Sequence, residues 1–234
     1  MKILLVEPYF SGSHKSWAEG YQSFSNHNVK IISLPGQFWK WRMHGGAISL
    51  AKQFMEMNFS PDLILATDML DLTTFLSLTK SRTANIPNSL YFHENQLSYP
   101  WSNLDRDVKE KRDHHYGFIN LSSALVADNV LFNSKYHHDS FHHESIKLLK
   151  HFPDNNELDI VEKIKKKSRI LYLGMDLAKF DKHKTQEKGN PLILWNHRWE
   201  YDKNPEAFFK CLYKLKNNNV KFDLAVLGQS FNKK

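Results

Sequence analysis

The sequence predicts an α/β fold: a Rossmann-like parallel sheet flanked by helices, followed by the start of a second Rossmann-like domain. Three observations predict it. Short apolar runs alternate with helical patterns, the arrangement that builds a parallel sheet covered on both faces. One run, Ser89-Leu-Tyr-Phe92, ends directly in polar residues, as a strand does at the ligand-bearing edge of such a sheet. After a polar stretch near residue 180 the strand and helix pattern begins again.

In order, Lys2-Ile-Leu-Leu-Val6 is the first expected strand. Ser13 is placed to cap the helix that follows, where Trp17, Tyr21 and Phe24 fall at i, i+4 and i+7. Val29–Ser33 is a second strand. Residues 47–57 form a helix with Ala47, Leu50, Ala51 and Phe54 on one face. Asp62–Ala66 is a strand, Asp71–Lys80 a helix and Ser89–Phe92 a strand. A longer helical region covers Asp105–Ala127. Asn129–Phe132 is a strand, Ser134 caps a helix to about Lys150, Glu157–Lys167 is a charged helix, and Arg169–Leu173 closes the series. This gives a first domain over 1–173 and a linker over 174–190. Beyond it, Pro191–Trp195 is a strand, Asn204 caps a helix with Pro205 at its first position, and Phe222–Leu227 is a strand. Residues 191–234 are expected to be the incomplete start of a second domain, because two strands and one helix bury no core of their own.

Composition narrows the function classes. Of 234 residues, 41% are hydrophobic and 24% charged, which excludes a disordered tail or a collagen-like repeat. One cysteine excludes an internal disulfide and an all-cysteine metal site. No apolar run approaches the roughly 20 residues of a membrane span, and the N-terminus is too short and too soon acidic for a signal peptide. A soluble, cytoplasmic protein is expected. The net charge of +7 favours an anionic partner such as RNA or a nucleotide, although many basic proteins bind neither.

Four segments carry candidate chemistry. Ser11-Gly12-Ser13-His14 joins the first strand to its helix, where backbone N–H groups can approach a phosphate; an ordinary capped turn has the same composition. His93-Glu94-Asn95-Gln96 follows a strand directly, and His93 is suited to hydrogen bonding a sugar hydroxyl or to proton transfer. Arg198 and Lys203, five apart before a capped helix, can neutralise a diphosphate or form a salt-bridged surface loop. Trp39, Trp41 and Arg42 combine aromatic and cationic groups suited to base stacking, or pin a loop. The pairs His114-His115, His137-His138 and His142-His143 lack a third ligand in a recognised metal spacing, so a solvated helix face is expected and no metal.

These segments together, with Tyr91–Pro100 (YFHENQLSYP), Arg112–Gly117, Ala127–Ser134 (ADNVLFNS) and His197–Lys210 (HRWEYDKNPEAFFK), resemble the tRNA-queuosine α-mannosyltransferases, retaining family-4 glycosyltransferases of the GT-B fold. The resemblance covers nearly the whole chain. It implies transfer of mannose from GDP-mannose to queuosine in tRNA with retention, independent of metal. It further implies that Gly12, Ser13, Arg198 and Lys203 hold the donor diphosphate and that His93 lies at the reacting sugar. Trp39, Trp41, Arg42, Glu94 and Asn95 are candidates for the acceptor and its RNA. The leaving diphosphate would take the acceptor proton. The family's donor-side glutamates would lie beyond residue 234, so the 234-residue chain alone is expected to be inactive. Another acceptor, such as a lipid-linked or cell-surface glycan, or a non-catalytic RNA-binding role, stays open at this stage.

Overall fold

The computed structural model describes residues 1–102, 105–110, 115–184 and 189–228, the side chains of 108 and 109 apart. The chain divides into two compact units, Met1–Tyr99 with Asp113–Met175, and Pro100–Arg112 with Asp176–Lys234.

The first unit is built on a six-stranded parallel sheet of order β2-β1-β3-β4-β5-β6. Its strands are β1 (Lys2–Phe10), β2 (Asn28–Pro35), β3 (Leu63–Thr67), β4 (Asn88–Phe92), β5 (Asn129–Phe132) and β6 (Ser168–Ile170). Its helices are α1 (Gly12–Phe24), α2 (Trp39–Glu56), α3 (Leu72–Leu78), α4 (Lys80–Thr83), α6 (His115–Val126), α7 (Lys135–Lys150) and α8 (Asp159–Lys166); α5 (Arg106–Lys109) belongs to the second unit. The α/β class with a parallel sheet flanked by helices is therefore the one the sequence predicts.

Side chains of a strand alternate between faces. Leu4 and Val6 of β1 join Ile64, Leu90, Phe92, Val130 and Phe132 in a core with Leu50 and Phe54 of α2, Phe75 of α3 and Phe141 of α7. Ile3 and Leu5 face the other way, with Leu65 and Tyr91, onto Ala18, Trp17 and Tyr21 of α1. All five residues of β4 are buried, as expected of a central parallel strand covered on both sides. Phe92 and Phe132 stack across β4 and β5 with centroids 4.9 Å apart. Helix starts are capped where the sequence offers a cap: Asp71 Oδ1 accepts from Thr74 N at 3.0 Å, and Ser134 Oγ accepts from His137 N at 3.1 Å.

Four expectations are corrected. α1 begins at Gly12, so Ser13 lies inside the first turn and Ser11 occupies the cap position. Gly12 adopts φ +51°, a left-handed conformation natural to glycine, and this turns the chain into the helix early. Phe24 points to solvent, 73% exposed, because α1 meets the sheet through Trp17 and Tyr21. α2 begins at Trp39 rather than 47, so Trp39, Trp41 and Arg42 form its first turns and not a loop. The expected long helix over 105–127 is two helices, α5 and α6, with residues 111–114 outside the described residues.

The second unit contains a two-stranded parallel sheet, β7 (Leu192–Asn196) with β8 (Asp223–Leu227), joined by a 3-10 turn (Tyr201–Lys203) and α10 (Pro205–Asn217). The short helix α9 (Ala178–Asp181) precedes it. Asn204 caps α10 as expected, its Oδ1 accepting from Ala207 N at 3.2 Å. Trp195 is buried against Phe208, with centroids 4.7 Å apart. Residues 229–234 lie outside the described residues.

Candidate functional site

In the first unit β2 lies on one side of β1 and β3 on the other, so the sheet reverses its winding between β1 and β3. In open α/β sheets this switch point leaves a crevice at the carboxyl ends of the strands. Four titratable side chains gather there. Glu7 ends the apolar part of β1, His14 stands in the first turn of α1, Asp68 follows β3, and His93 follows β4.

Glu7 is completely buried. Its Oε1 accepts from Tyr9 N at 2.8 Å, and its Oε2 accepts from His14 Nδ1 at 3.1 Å. Asp68, also buried, accepts the backbone N–H of His93 on Oδ1 at 2.8 Å. Asn133 Nδ2 donates to the carbonyl of His93 at 2.8 Å, so both backbone groups of His93 are held by side chains. Around its ring stand His14, with centroids 4.5 Å apart, the edge of Trp17 at 4.7 Å and Tyr91 at 4.9 Å. Trp17 and Tyr91 stack at 4.7 Å behind it. The Nε2 of His93 is buried and, among the described residues, has no hydrogen-bond partner.

Charge is sorted within this cluster. Burial opposes a charge on His14, but the hydrogen bond and charge of Glu7, with Asp68 and Glu94 nearby, outweigh it and raise His14 to about 9. Burial, then the positive charge of His14, then that of His137, push His93 down to about 3. Burial raises the Asp68 carboxyl to about 8; His14 works against the shift and Glu94 adds to it. One imidazolium and one neutral imidazole thus lie side by side.

Ligand atoms of Glu7, His14 and His93 lie within 4.8 Å of one another, a spread a metal ion could draw together. Glu7 and His14 already satisfy each other, and a hydrogen-bonded ion pair describes the arrangement.

The remaining expected residues have definite places. Glu94 Oε1 accepts from Gln96 Nε2 at 3.2 Å. Asn95 is buried, and its Oδ1 accepts from Leu97 N, Ser98 N and Ser98 Oγ, so it shapes the loop after β4. Trp39 meets Tyr116 of α6 with centroids 5.1 Å apart. Trp41 is 62% exposed. A Cβ on Gly45 would stand 2.6 Å from the Trp41 ring, so the absence of a side chain there lets the indole lie along α2. Arg42 Nε donates to the carbonyl of Pro35 at 3.0 Å. In the second unit Arg198 and Lys203 share Asp202, at 4.0 Å and 2.9 Å from its Oδ2.

The histidines of α7 do not share one solvated face: His143 is exposed and His138 half-buried. His137 and His142 are buried against Phe132, because this side of α7 covers β5. His137 Nδ1 donates to Asn133 Oδ1 at 2.9 Å, the same asparagine that holds His93. His114 lies outside the described residues.

The sequence reading passed over Glu7, Asp68 and Asn133 as site residues. The signal was present for the two acids: each ends an apolar strand, the position that singled out His93.

A parallel sheet of this order, with an imidazole and carboxylate cluster at its switch point, defines a Rossmann-like domain. Residues 2–175 match the family described as tRNA-queuosine alpha-mannosyltransferase N-terminal, and the chain belongs to that family. Among its relatives, the tRNA-queuosine alpha-mannosyltransferase of Drosophila melanogaster is 34% identical over 239 residues, an alignment covering 98% of this chain and 62% of that protein. The chain therefore spans less than two thirds of the relative's length. Among the described residues no helix is long and apolar enough to cross a membrane.

Proposed function

We propose that the chain contributes the acceptor-side domain of a retaining mannosyltransferase that moves mannose from GDP-mannose to queuosine in tRNA. One observation carries the reading: His14, two residues after the Gly12 turn, brings the first loop of the sheet against the strand-end His93. A phosphate-compatible turn and a hydroxyl-binding imidazole then share one crevice. The relationship to the fly mannosyltransferase supports the sugar and the RNA, and the net charge of +7 suits a polyanionic acceptor.

In this reading residues 1–173, apart from the Pro100–Arg112 segment of the second unit, form the acceptor domain and 191–234 open the nucleotide-sugar domain after a linker. Each unit offers groups suited to a diphosphate whose charge grows in the transition state: Gly12 and Ser13 in the first, Arg198 and Lys203 in the second. The diphosphate oxygen takes the proton of the attacking hydroxyl on the same face, which retains the anomeric configuration without a resident metal. His93 orients the sugar by a hydrogen bond, and the reaction takes place in the cytoplasm. The test is mass spectrometry of tRNA nucleosides from cells with and without the gene. Loss of mannosyl-queuosine with accumulation of queuosine is expected; an unchanged nucleoside profile rejects the reading.

A further inference from the structure

The switch-point cluster holds more groups than the proposed chemistry uses. We infer that Glu7 and His14 are positioning residues for His93: the buried Glu7 carboxylate holds the His14 ring as a cation against the His93 ring, and so presents His93 to a substrate hydroxyl as a neutral imidazole in one fixed orientation. The inference rests on the reading of His93 as a hydroxyl-binding residue.

The geometry supplies the argument. A buried carboxylate is tolerated only when its charge is compensated and its lone pairs are bonded. Both oxygens of Glu7 are bonded, one by a backbone N–H and one by His14. Among the described residues, His14 supplies the basic partner of Glu7. Removing the proton from His14 would leave a charge buried without a counter-ion, so the proton stays on that ring. A second positive charge on the ring 4.5 Å away is then opposed by like-charge repulsion. Sterics and hydrogen bonding oppose it as well. An imidazolium carries a proton on both nitrogens, and Nε2 of His93 would become a charged donor enclosed without an acceptor. The ring has little room to rotate away, with His14, Trp17 and Tyr91 against it and its backbone tied to Asp68 and Asn133.

The titratable groups of the cluster come from every neighbouring element: His14 from α1 and His137 from α7 act on His93, while Glu7 from β1, Asp68 after β3 and Glu94 after β4 act on His14. His137 is neutral at physiological pH, since burial pushes it down to about 4. Asp68, raised to about 8, is largely protonated there. Glu7 therefore decides which of the two imidazoles is charged.

The experiment is a side-chain NMR titration of the histidines in the 234-residue chain, in a chelating buffer, for wild type, Glu7→Gln, His14→Gln and His14→Lys. In wild type, His14 stays protonated above pH 7.5 and His93 stays neutral at pH 5. Glu7→Gln lowers the midpoint of His14. His14→Gln raises the midpoint of His93, and His14→Lys, which keeps a cation, returns it toward wild type. A purely structural role predicts that Gln and Lys at position 14 act alike on His93. Identical His93 midpoints in wild type and His14→Gln, both folded by their dispersed spectra, overturn the inference. Should Glu7→Gln fail to fold, the two variants at His14 still decide it. Mannosylation of queuosine-containing tRNA by the intact enzyme is measured separately. Its absence in wild type removes the function reading, whereas intact transfer with uncoupled titrations removes only this one.

Discussion

The backbone N–H of His93 donates to Asp68 Oδ1 at 2.8 Å, which ties the end of β4 to the end of β3 through a buried carboxyl group. Burial raises that carboxyl to about 8, so the folded state holds a proton that the unfolded chain releases near 4. The sign follows: this group favours the fold at low pH and weakens it as pH rises toward and through 8. Asn at position 68 keeps an acceptor for His93 and has no charge to bury. Asp68→Asn is expected to melt close to wild type at pH 5 and above it at pH 9. Thermal melts at both pH values check this, and Asp68→Ala should lose stability at both, because the His93 N–H is left without its acceptor.

His93 and His137 act in the opposite direction. Both are held below the ordinary histidine value by burial, His93 at about 3 and His137 at about 4. Below pH 6.5 the unfolded chain binds protons that the fold refuses, so stability falls as pH falls, by up to about 1.4 kcal/mol per pH unit for each such group. His142 is lowered by burial in the same direction, and His93→Gln removes one of these contributions. Denaturant midpoints at pH 5 and pH 7.5 should show a shallower acid loss in the variant than in wild type.

In an intact enzyme, His93→Ala is expected to lower transfer about tenfold or more with the fold retained, since one decade corresponds to about 1.4 kcal/mol of lost transition-state stabilisation. Steady-state turnover on queuosine-containing tRNA, beside a thermal melt, gives the answer. Near-normal turnover would leave His93 a structural residue.

Trp41 and Gly45 offer a paired test of RNA contact. Trp41→Ala is expected to weaken tRNA binding by about 1–3 kcal/mol if a base stacks on the indole. Gly45→Ala keeps the indole but drives a methyl group into the space it occupies, 2.6 Å from the ring. Alanine is the better helix former, so this variant should keep the fold and still bind tRNA less tightly. Filter binding across a salt series measures both. Equal affinity of wild type and the two folded variants would exclude stacking at this position.

Arg82 provides a stability test away from the crevice. Its guanidinium donates to the carbonyls of Phe54, Met57 and Phe59, where α2 ends, and lies 4.3 Å above the Phe54 ring. A cation at a helix C-terminus that satisfies several carbonyls is worth more than a surface pair. Arg82→Met should cost roughly 2–4 kcal/mol in urea unfolding, and Arg82→Lys, with one ammonium and no planar fork, should recover only part of it.

The fold was legible because parallel strands buried on both faces leave short apolar runs that the polar helix faces separate. Asn129–Phe132 coincides with its expected bounds, and the Ser134 and Asn204 caps stand where a capping residue precedes a periodic pattern. The starts of α1 and α2 were misplaced, whereas that of α10, also entered through a positive φ at Asn204, was found because asparagine is a capping type. Gly12 and Phe38 turn the chain into α1 and α2, and Phe38 in a left-handed conformation follows no composition rule. His93 was visible from the strand before it. The neighbours that define its chemistry were not, because Asp68 and Glu7 reach it only through the order β1-β3-β4, which the sequence does not state. The buried face of α7 escaped for a similar reason: histidine is polar by type, yet here its rings fill space beside Phe132.

β1 runs on to Phe10, three residues past the level of Thr67, the last residue of β3, and pairs again with β2 through Phe10 and Pro35. At about 3.4 Å per residue this extension stands roughly 10 Å above its neighbour. Mutational freedom around the crevice is therefore lopsided. On the β1 side, the chain passes through Pro8 and Tyr9 across a register shift and pairs with β2 again at Phe10, so a substitution there must respect that irregular pairing before anything else. On the β3 and β4 side, the positions after the strands belong to loops with no strand register at stake, and buried, hydrogen-bonded Asp68 and Asn95 are their fixed points. Variation that retunes what the domain accepts has its natural room on that second bank, and the first stays a fixed wall.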